Sequence, residues 1–260
     1  KFNINSSTGA LTFKSAPDFE DPLDSNKDNK YVVVVRSMDN QENYSDQIIT
    51  VSINNLLPTI TGPSGGAGSS TSSKSINENS KTVHTFKSDE TVTWSLVGGA
   101  DASKFNINSS TGALTFKSAP DYENPIDSGT NNSYEVKVRA TDLSNKFSEQ
   151  NLTINVQNIA PKITGPSGGK GSSSSIKSIN EDTQTVHTFK ADETVSWTLV
   201  GGDDASKFNI NSSTGALTFK SAPDYENPTD IGKDNSYEVI VEAKDSSNGK
   251  SKQGVTINVI

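Results

Sequence analysis

The sequence contains no cysteine and only two histidines, and its 31 acidic residues outnumber 23 basic ones. Without cysteine, neither disulfides nor thiolate-bound metals can stabilise the fold. The resulting net charge of −8 argues against nucleic-acid binding, which needs clustered lysine and arginine. No apolar run approaches the roughly 18 residues of a membrane-spanning helix, so membrane insertion is not expected either.

Apolar residues are also scarce, at 30% of the chain, which suits thin β-domains whose strands each bury one face.

The same run, KFNINSSTGALTFKSAPD, begins at Lys1, Lys104 and Lys207, so the sequence repeats with a period of 103 residues. Repeats of this length can bury their own cores, which predicts tandem domains rather than a solenoid. We expect a partial repeat at 1–57 and complete repeats at 58–160 and 161–260, within a longer parent protein.

The second repeat has the periodicity of β-strands. In YEVKVRAT (134–141) apolar and charged residues alternate strictly, which predicts a half-buried strand. Strand-like spacing of apolar residues also occurs in VTWSL, NLTINV, FNI and ALTF. A bulged strand is predicted at TVHTF (82–86), and an edge strand is expected near 75–77. Seven short strands in about 100 residues predict an all-β fold of tandem seven-stranded Greek-key β-sandwiches, the first of them partial.

Turns and linkers also have recognisable patterns. NSSTG predicts a turn with Gly112 in the left-handed conformation. Trp94 and Trp197 are in phase with valine and leucine, so we expect them in the core rather than stacked on a sugar. The Gly/Ser-rich segments that follow each ITGP are interpreted either as loops on the surface or as flexible hinges.

An acidic motif, KSAPDYENP, occurs at 117–125 and 220–228, and as KSAPDFEDP at 14–22. We expect Tyr122 to face inward, so that the flanking carboxylates of Asp121 and Glu123 point the same way and share a cation. A second acidic stretch, DSNKDN (24–29), has the spacing of the start of a calcium loop. Because it changes to DSGTNN and DIGKDN in the other copies, we interpret it mainly as a polar turn.

The order of these motifs resembles that of the cadherin-like tandem repeats of large bacterial cell-surface adhesins. The resemblance covers the whole chain and rests on INEN (76–79), FNINSSTGALTF, PDYENP, YEVKVRATD (134–142) and the linkers SINNLLP and NVQNIAP. It implies calcium ions bound between successive repeats, and a location outside the cell. In the linkers, asparagine stands where the family has aspartate, which predicts fewer or more weakly bound ions.

Transferred position by position, the resemblance implies three sets of oxygen ligands for Ca²⁺. Between the second and third repeats they are Glu78, Asp121, Glu123, Asn158, Asp192 and Asp245, with Glu193 as an optional addition. Between the first and second repeats they are Asp18, Glu20, Asn55, Asp89 and Asp142. An open set, awaiting a following domain, comprises Glu181, Asp224 and Glu226.

The leading functional hypothesis is a calcium-stabilised structural segment of an extracellular adhesin or surface-layer fibre. Its partners would be calcium, neighbouring repeats and other copies of the chain. One alternative is an array of carbohydrate-binding modules that use GPSGG loops, and another is a polymer subunit in which a second chain completes the partial repeat by strand exchange. An enzyme is not expected, because His84 and His187 each lack the partners of a catalytic set.

Overall fold

The structure is a computed structural model that describes residues 1–260, and it is almost entirely β-structure. The strands form the paired sheets of tandem β-sandwiches, which confirms the predicted fold class. Two short 3₁₀ turns, Ala102–Lys104 and Ala205–Lys207, are the helical segments. No helix has the length and apolar character that crossing a membrane would require.

The backbone divides into two compact units, which are described separately. Unit 1 comprises Lys1–Lys74, Lys81–Ser118 and Ser133–Asn155, and unit 2 comprises Ser75–Ser80, Ala119–Asn132 and Val156–Ile260. Segments of the second repeat belong to both units. The domain borders expected at 58 and 161 therefore stay predictions.

The first repeat contributes four strands to unit 1. They are β1 (Phe2–Ile4), β2 (Leu11–Phe13), β3 (Lys30–Met38) and β4 (Tyr44–Ser52). β1 pairs with β2 and β3 with β4, both antiparallel. Because side chains alternate along β3, Tyr31 is buried with its ring 5.2 Å from that of Phe13, whereas Val32 and Val34 on the opposite face are exposed.

The second repeat contains nine strands. They are β5 (Ile60–Thr61), β6 (Thr71–Asn77), β7 (Thr82–Thr85), β8 (Lys87–Ser88), β9 (Thr93–Gly98), β10 (Phe105–Ile107), β11 (Ala113–Phe116), β12 (Ser133–Thr141) and β13 (Phe147–Gln157). Two sheets have the orders β6-β13-β12-β9 and β10-β11-β7. β5 and β8, which were not among the seven predicted strands, pair with each other. The register of β7 on β11 shifts between Leu114 and Thr115, which confirms the predicted irregularity.

The third repeat has the same arrangement within unit 2. Its strands are β14 (Ile163–Thr164), β15 (Ser174–Ile179), β16 (Thr185–Thr188), β17 (Lys190–Ala191), β18 (Ser196–Gly201), β19 (Phe208–Ile210), β20 (Ala216–Phe219), β21 (Ser236–Lys244) and β22 (Lys250–Val259). The sheets have the orders β15-β22-β21-β18 and β16-β20-β19. β15 and β22, which lie far apart in sequence, pair in parallel from Ser174–Gly254 to Ile179–Val259.

The core of unit 2 consists of the inward-facing residues of these strands. Tyr237 is fully buried, and its ring meets Phe219 edge-on at a centroid distance of 5.0 Å. Trp197 is buried in the same cluster, which confirms that the tryptophan is a core residue. Gly215 has the left-handed φ of 71° expected from the repeated NSSTG turn, and a Cβ there would lie 3.0 Å from the Trp197 ring.

The Gly/Ser-rich segment of the third repeat forms a closed loop. The amide of Gly171 donates to the Ile163 carbonyl at 2.8 Å. The fully buried side chain of Gln253 donates to the Ser172 carbonyl at 2.8 Å and accepts from the Ser175 hydroxyl at 3.1 Å. These bonds fit the surface-loop interpretation rather than the hinge.

Candidate metal sites

Three groups of carboxylates have oxygen atoms within 4.8 Å of one another. Site 1 consists of Glu20, Glu90 and Asp142, which all belong to unit 1; site 2 consists of Glu78, Glu123 and Glu193, which all belong to unit 2; cluster 3 consists of Glu181, Asp224 and Glu226. Sites 1 and 2 each combine residues from two successive sequence repeats. The cavity at site 2 has a volume of about 260 Å³ and is also lined by Asp121 and Asp192.

The acidic motif folds as a turn that directs its glutamate into the site. The side-chain oxygen of Asp121 accepts hydrogen bonds from the backbone amides of Glu123 and Asn124, at 3.0 and 3.1 Å. Asp18 accepts from the amide of Glu20 in the same way, at 2.9 Å. The aspartates thus fix the turn, and the glutamates are the members that meet other carboxylates.

The aromatic residue of the motif is not the core anchor that we expected. Tyr122, which was expected to face inward, is half-buried, and its counterpart Tyr225 in the third repeat is 48% exposed. The turn is held instead by Asn132, whose side-chain amide donates to the Tyr122 carbonyl at 2.8 Å. The orientation of the carboxylates therefore comes from hydrogen bonds rather than from a buried ring.

Glu78 is buried, with 4% exposure, and links the acidic turn to the linker between repeats. Its Oε2 accepts from the amide of Tyr122 at 3.0 Å, and its Oε1 accepts from the amide of Ile159 at 2.9 Å. Two backbone donors explain how a carboxylate can be buried without a cationic side chain. Each oxygen keeps a second lone pair that could face a metal ion.

Asn158 and Asp245 close the other side of site 2. The side-chain amide of Asn158 donates to Asp245 Oδ2 at 3.2 Å, while Asp245 Oδ1 accepts from the amides of Ser247 and Gly249, each at 2.8 Å. In site 1 the amide of Asn55 donates to Asp142 at 3.0 Å. The linker asparagines are thus brought to the sites, as the ligand sets require.

Several oxygens at the two sites are buried and have no hydrogen-bond partner. They are Oε1 of Glu20 in site 1, and Oε1 of Glu123 and Oδ1 of Asn158 in site 2. Outside the sites, only the side-chain carbonyls of Asn29, Asn132 and Asn235 share this condition. Burying a polar oxygen without a partner is costly, so its presence beside several carboxylates indicates a place for a cation.

Crowding of negative charge changes the acidity of both sites. Burial, together with the neighbouring charges of Glu20 and Asp142, raises the pKa of Glu90 to about 7. Burial, together with Glu123 and Glu78, raises the pKa of Glu193 to about 7 in the same way. Two carboxylates are therefore held close to several other acids.

Glu90 belongs to site 1 and Glu193 to site 2. The expected ligand sets did not include Glu90 and named Glu193 only as an optional addition. Asp89, which was expected instead, accepts from the amide of Thr59 at 2.7 Å, and Asp192 accepts from the amide of Lys162 at 2.6 Å. Each aspartate thus binds the backbone at the start of its repeat and is the neighbour in sequence of a glutamate of site 1 or site 2. The adjacent DE pair was the signal in the sequence, and only the fold shows that its second acid enters the site.

Cluster 3 reproduces one half of site 2 within the third repeat. Glu181 accepts from the amide of Tyr225 at 3.0 Å, as Glu78 does from Tyr122. Asp224 accepts from the amide of Glu226 at 3.0 Å. Asp224 and Glu226 are exposed, and no asparagine–aspartate pair like that of site 2 closes the cluster.

The second acidic stretch forms turns in the structure. The buried side chain of Asp127 accepts from the amides of Asn131 and Asn132, at 2.9 and 3.0 Å, and Asp230 makes the equivalent bonds. Because these carboxylates are satisfied by backbone donors, the geometry agrees with the polar-turn interpretation.

The histidines occupy packing positions. The ring of His84 meets Phe86 edge-on at 5.1 Å, and His187 meets Phe189 at the same distance. Burial, with the nearby charge of Lys74, lowers the pKa of His84.

No family model matches the sequence, and no curated protein matches it. Among solved structures, the chain is similar to cadherin domains. Mouse cadherin-23 EC22-24 is 20% identical, with 79% of this chain and 67% of that chain covered and a TM-score of 0.35. Drosophila N-cadherin EC1-3 is 20% identical, with 100% and 85% covered and a TM-score of 0.34. Human CDH23 EC21-23 is 19% identical, with 98% and 80% covered and a TM-score of 0.39. Likeness at these identities concerns the fold alone.

Proposed function

We propose that this chain is a structural, non-enzymatic segment of an extracellular adhesin or surface fibre, and that calcium ions at sites 1 and 2 tie its successive repeats together. In each site the acidic turn of one repeat meets loops of the next. A cation held by both would restrain the linker between them. The ordered motifs shared with cadherin-like repeats support the same role.

The observation that carries the proposal is the set of buried oxygens without partners at site 2. Glu123 Oε1 lies in the group that also contains Glu78 and Glu193, and Asn158 is bonded to Asp245; both Glu123 Oε1 and Asn158 Oδ1 are buried and lack a hydrogen bond. An ion would satisfy these oxygens and compensate the charge that raises the pKa of Glu193. Carboxylate and amide oxygens without nitrogen or sulfur are the donors that calcium prefers.

The residues present fit calcium in chemistry and number. Glu78, Glu123, Glu193, Asp192 and Asp245 offer carboxylate oxygens near site 2, and Asn158 adds a carbonyl oxygen. Calcium takes six to eight oxygens, so these residues could supply most of its ligands. Asp121 would act by fixing the turn that presents Glu123. In site 1 the corresponding residues are Glu20, Glu90, Asp142, Asn55 and Asp89, with Asp18 fixing the turn.

The test is a calorimetric calcium titration of the whole chain after removal of divalent cations with a chelator, with magnesium as a second titrant. We expect saturable calcium binding, a higher melting temperature with calcium, and weaker binding of magnesium. A variant with Glu90→Gln and Glu193→Gln should lose most of the binding heat. If wild-type protein gives no binding heat and melts at the same temperature with calcium and with chelator, the proposal is wrong.

Stiffening is measured separately by small-angle scattering. A larger maximum dimension with calcium than with chelator is expected if the ions restrain the linkers, and an unchanged dimension would remove stiffening from the proposal. The carbohydrate-binding and strand-exchange alternatives stay predictions.

A further inference from the structure

The Gly/Ser-rich loops of the second and third repeats differ in charge at one position. Lys170 in the third repeat corresponds to Ala67 in the second, one period of 103 residues earlier. Lys170 Nζ lies 3.1 Å from Asp192 Oδ2. The methyl group of Ala67 offers no charge to Asp89, the counterpart of Asp192.

Both aspartates accept a backbone hydrogen bond at the start of their repeat, and Asp89 also accepts from the Ser88 hydroxyl at 3.3 Å. Asp192 Oδ1 accepts from the amide of Lys162 at 2.6 Å, and Asp89 Oδ1 accepts from the amide of Thr59 at 2.7 Å. Each backbone bond uses one oxygen and leaves Oδ2 as the remaining ligand atom. In site 2 the ammonium group of Lys170 is bound to that remaining oxygen.

The loop that carries Lys170 has a defined conformation. The amide of Gly171 donates to Ile163 at 2.8 Å, and Gly171 has a φ of +81°, which favours glycine. In the second repeat Gly68 donates to Ile60 at 2.9 Å with a φ of +76°. The two loops share this closing bond but differ just before it, since Gly66 has a φ of +77° that Gly169 does not share, and Ala67 bridges Thr61. Each exchange is therefore compared with its own parent protein.

We propose that Lys170 competes with calcium for Asp192 and so lowers the calcium affinity of site 2. This inference rests on the proposed function, since it requires that site 2 binds calcium. A metal ion that uses Asp192 Oδ2 must displace the ammonium group or share the oxygen with it. The two cations also repel each other, so binding of one disfavours the other.

The expected effect is moderate, because the side chain of Lys170 is 55% exposed and water screens the pair. Exposed ion pairs of this kind correspond to a change of about two- to fivefold in an equilibrium constant. The comparison is made within each site, since the carboxylates described at sites 1 and 2 are not the same set.

The experiment is a reciprocal exchange in the full chain. Lys170→Ala is titrated with calcium in a Glu90→Gln background, which isolates site 2, and Ala67→Lys is titrated in a Glu193→Gln background, which isolates site 1. We expect Lys170→Ala to raise the affinity of site 2 about two- to fivefold and Ala67→Lys to lower that of site 1 by a similar factor. Lys14→Ala, which removes the same charge far along the sequence, is the control and should leave site 2 unchanged.

A second measurement separates competition from a structural role of the lysine. In chelator, Lys170→Ala should melt no higher than wild type, whereas with saturating calcium it should gain more in melting temperature than wild type does. An affinity for calcium that is unchanged or lower in Lys170→Ala would overturn the inference while leaving the proposed function intact. Absence of calcium binding in the wild type would instead contradict the proposed function itself.

Discussion

Asn158 donates its side-chain amide to Asp245 at 3.2 Å, and this bond leaves the carbonyl oxygen of Asn158 buried without a partner. The pair holds the linker against the third repeat without an ion. Under the proposed function, the neutral amide balances stability without calcium against affinity for calcium. An aspartate here would add a ligand charge but would lose the hydrogen bond to Asp245.

Asn158→Asp should therefore shift stability in opposite directions in the two conditions. In chelator, repulsion from Asp245 should lower the melting temperature, and with calcium the added charge should raise the affinity of site 2 several-fold. Differential scanning calorimetry and calcium titration measure the two effects. Asn151→Asp, at an exposed strand position, adds the same charge as a control and should change neither quantity appreciably. A fall in calcium affinity in Asn158→Asp would contradict the assignment of this residue to the site.

Glu193→Gln should show the reverse pattern. Removing one of the crowded carboxylates relieves repulsion, so the melting temperature in chelator should rise, while the calcium affinity of site 2 should fall about tenfold or more. Glu238→Gln changes the same charge on an exposed strand position and serves as the control. A variant that loses stability in chelator would show that Glu193 contributes contacts other than repulsion.

The strands could be predicted because their signal is local. In β12, alternation of apolar and charged residues is visible within nine residues, and the structure confirms its burial on one face. The roles of Asp192 and Glu193 depend on a hydrogen bond from Lys162, which lies 30 residues away in sequence. No local pattern shows which of two adjacent acids will be used by the backbone and which will face a neighbouring repeat.

Long-range contacts also decide burial at positions where local patterns are silent. Gln253 is fully buried because the Gly/Ser-rich loop folds over it and supplies hydrogen-bond partners. Tyr122 was expected to face inward and is half-buried, because the burial of an aromatic side chain in a turn depends on what packs against it. Neither outcome is encoded in the spacing of nearby residues.

Stability without calcium should depend on pH through the raised acids. Because burial and neighbouring acids raise the pKa of Glu90 and Glu193 from 4.5 to about 7, the folded state binds more protons than the unfolded state between these values. The contribution of these two glutamates to the free energy of unfolding should therefore fall as pH increases from about 4.5 to about 7, whereas His84 and His187, with lowered pKa, act in the opposite direction. Urea titrations in chelator compare wild type with the Glu90→Gln, Glu193→Gln variant at several pH values. A difference in stability between the two proteins that does not change across the window would contradict the prediction.

Calcium binding at pH 6 should release protons from the same glutamates, because the ion favours their charged forms. Calorimetry in two buffers with different ionisation enthalpies detects the release as a difference in the observed binding heat. Equal heats in both buffers would mean that calcium binds without drawing on Glu90 or Glu193.

Gly99→Ala should destabilise unit 1 more than Gly66→Ala. Both glycines have positive φ, of 97° and 77°, but a Cβ at Gly99 would lie 2.4 Å from the carbonyl oxygen of Glu135, whereas none of the surrounding atoms is within 4 Å at Gly66. Left-handed strain alone costs about 1–2 kcal/mol, and the clash with backbone atoms adds to it at Gly99. Chemical denaturation of both variants gives the comparison, and equal losses would contradict the close approach seen at Gly99.

The parallel pairing of β15 with β22 gives the third repeat a particular response to tension. If the chain is pulled from the start of β15 and the end of β22, near Ser174 and Val259, the two strands are drawn past each other along their length. The hydrogen bonds between them then resist together in shear, and they cannot open one after another as in a hairpin pulled from its open end. A repeat built this way would yield abruptly at high force, with β15 and β22 separating in a single event.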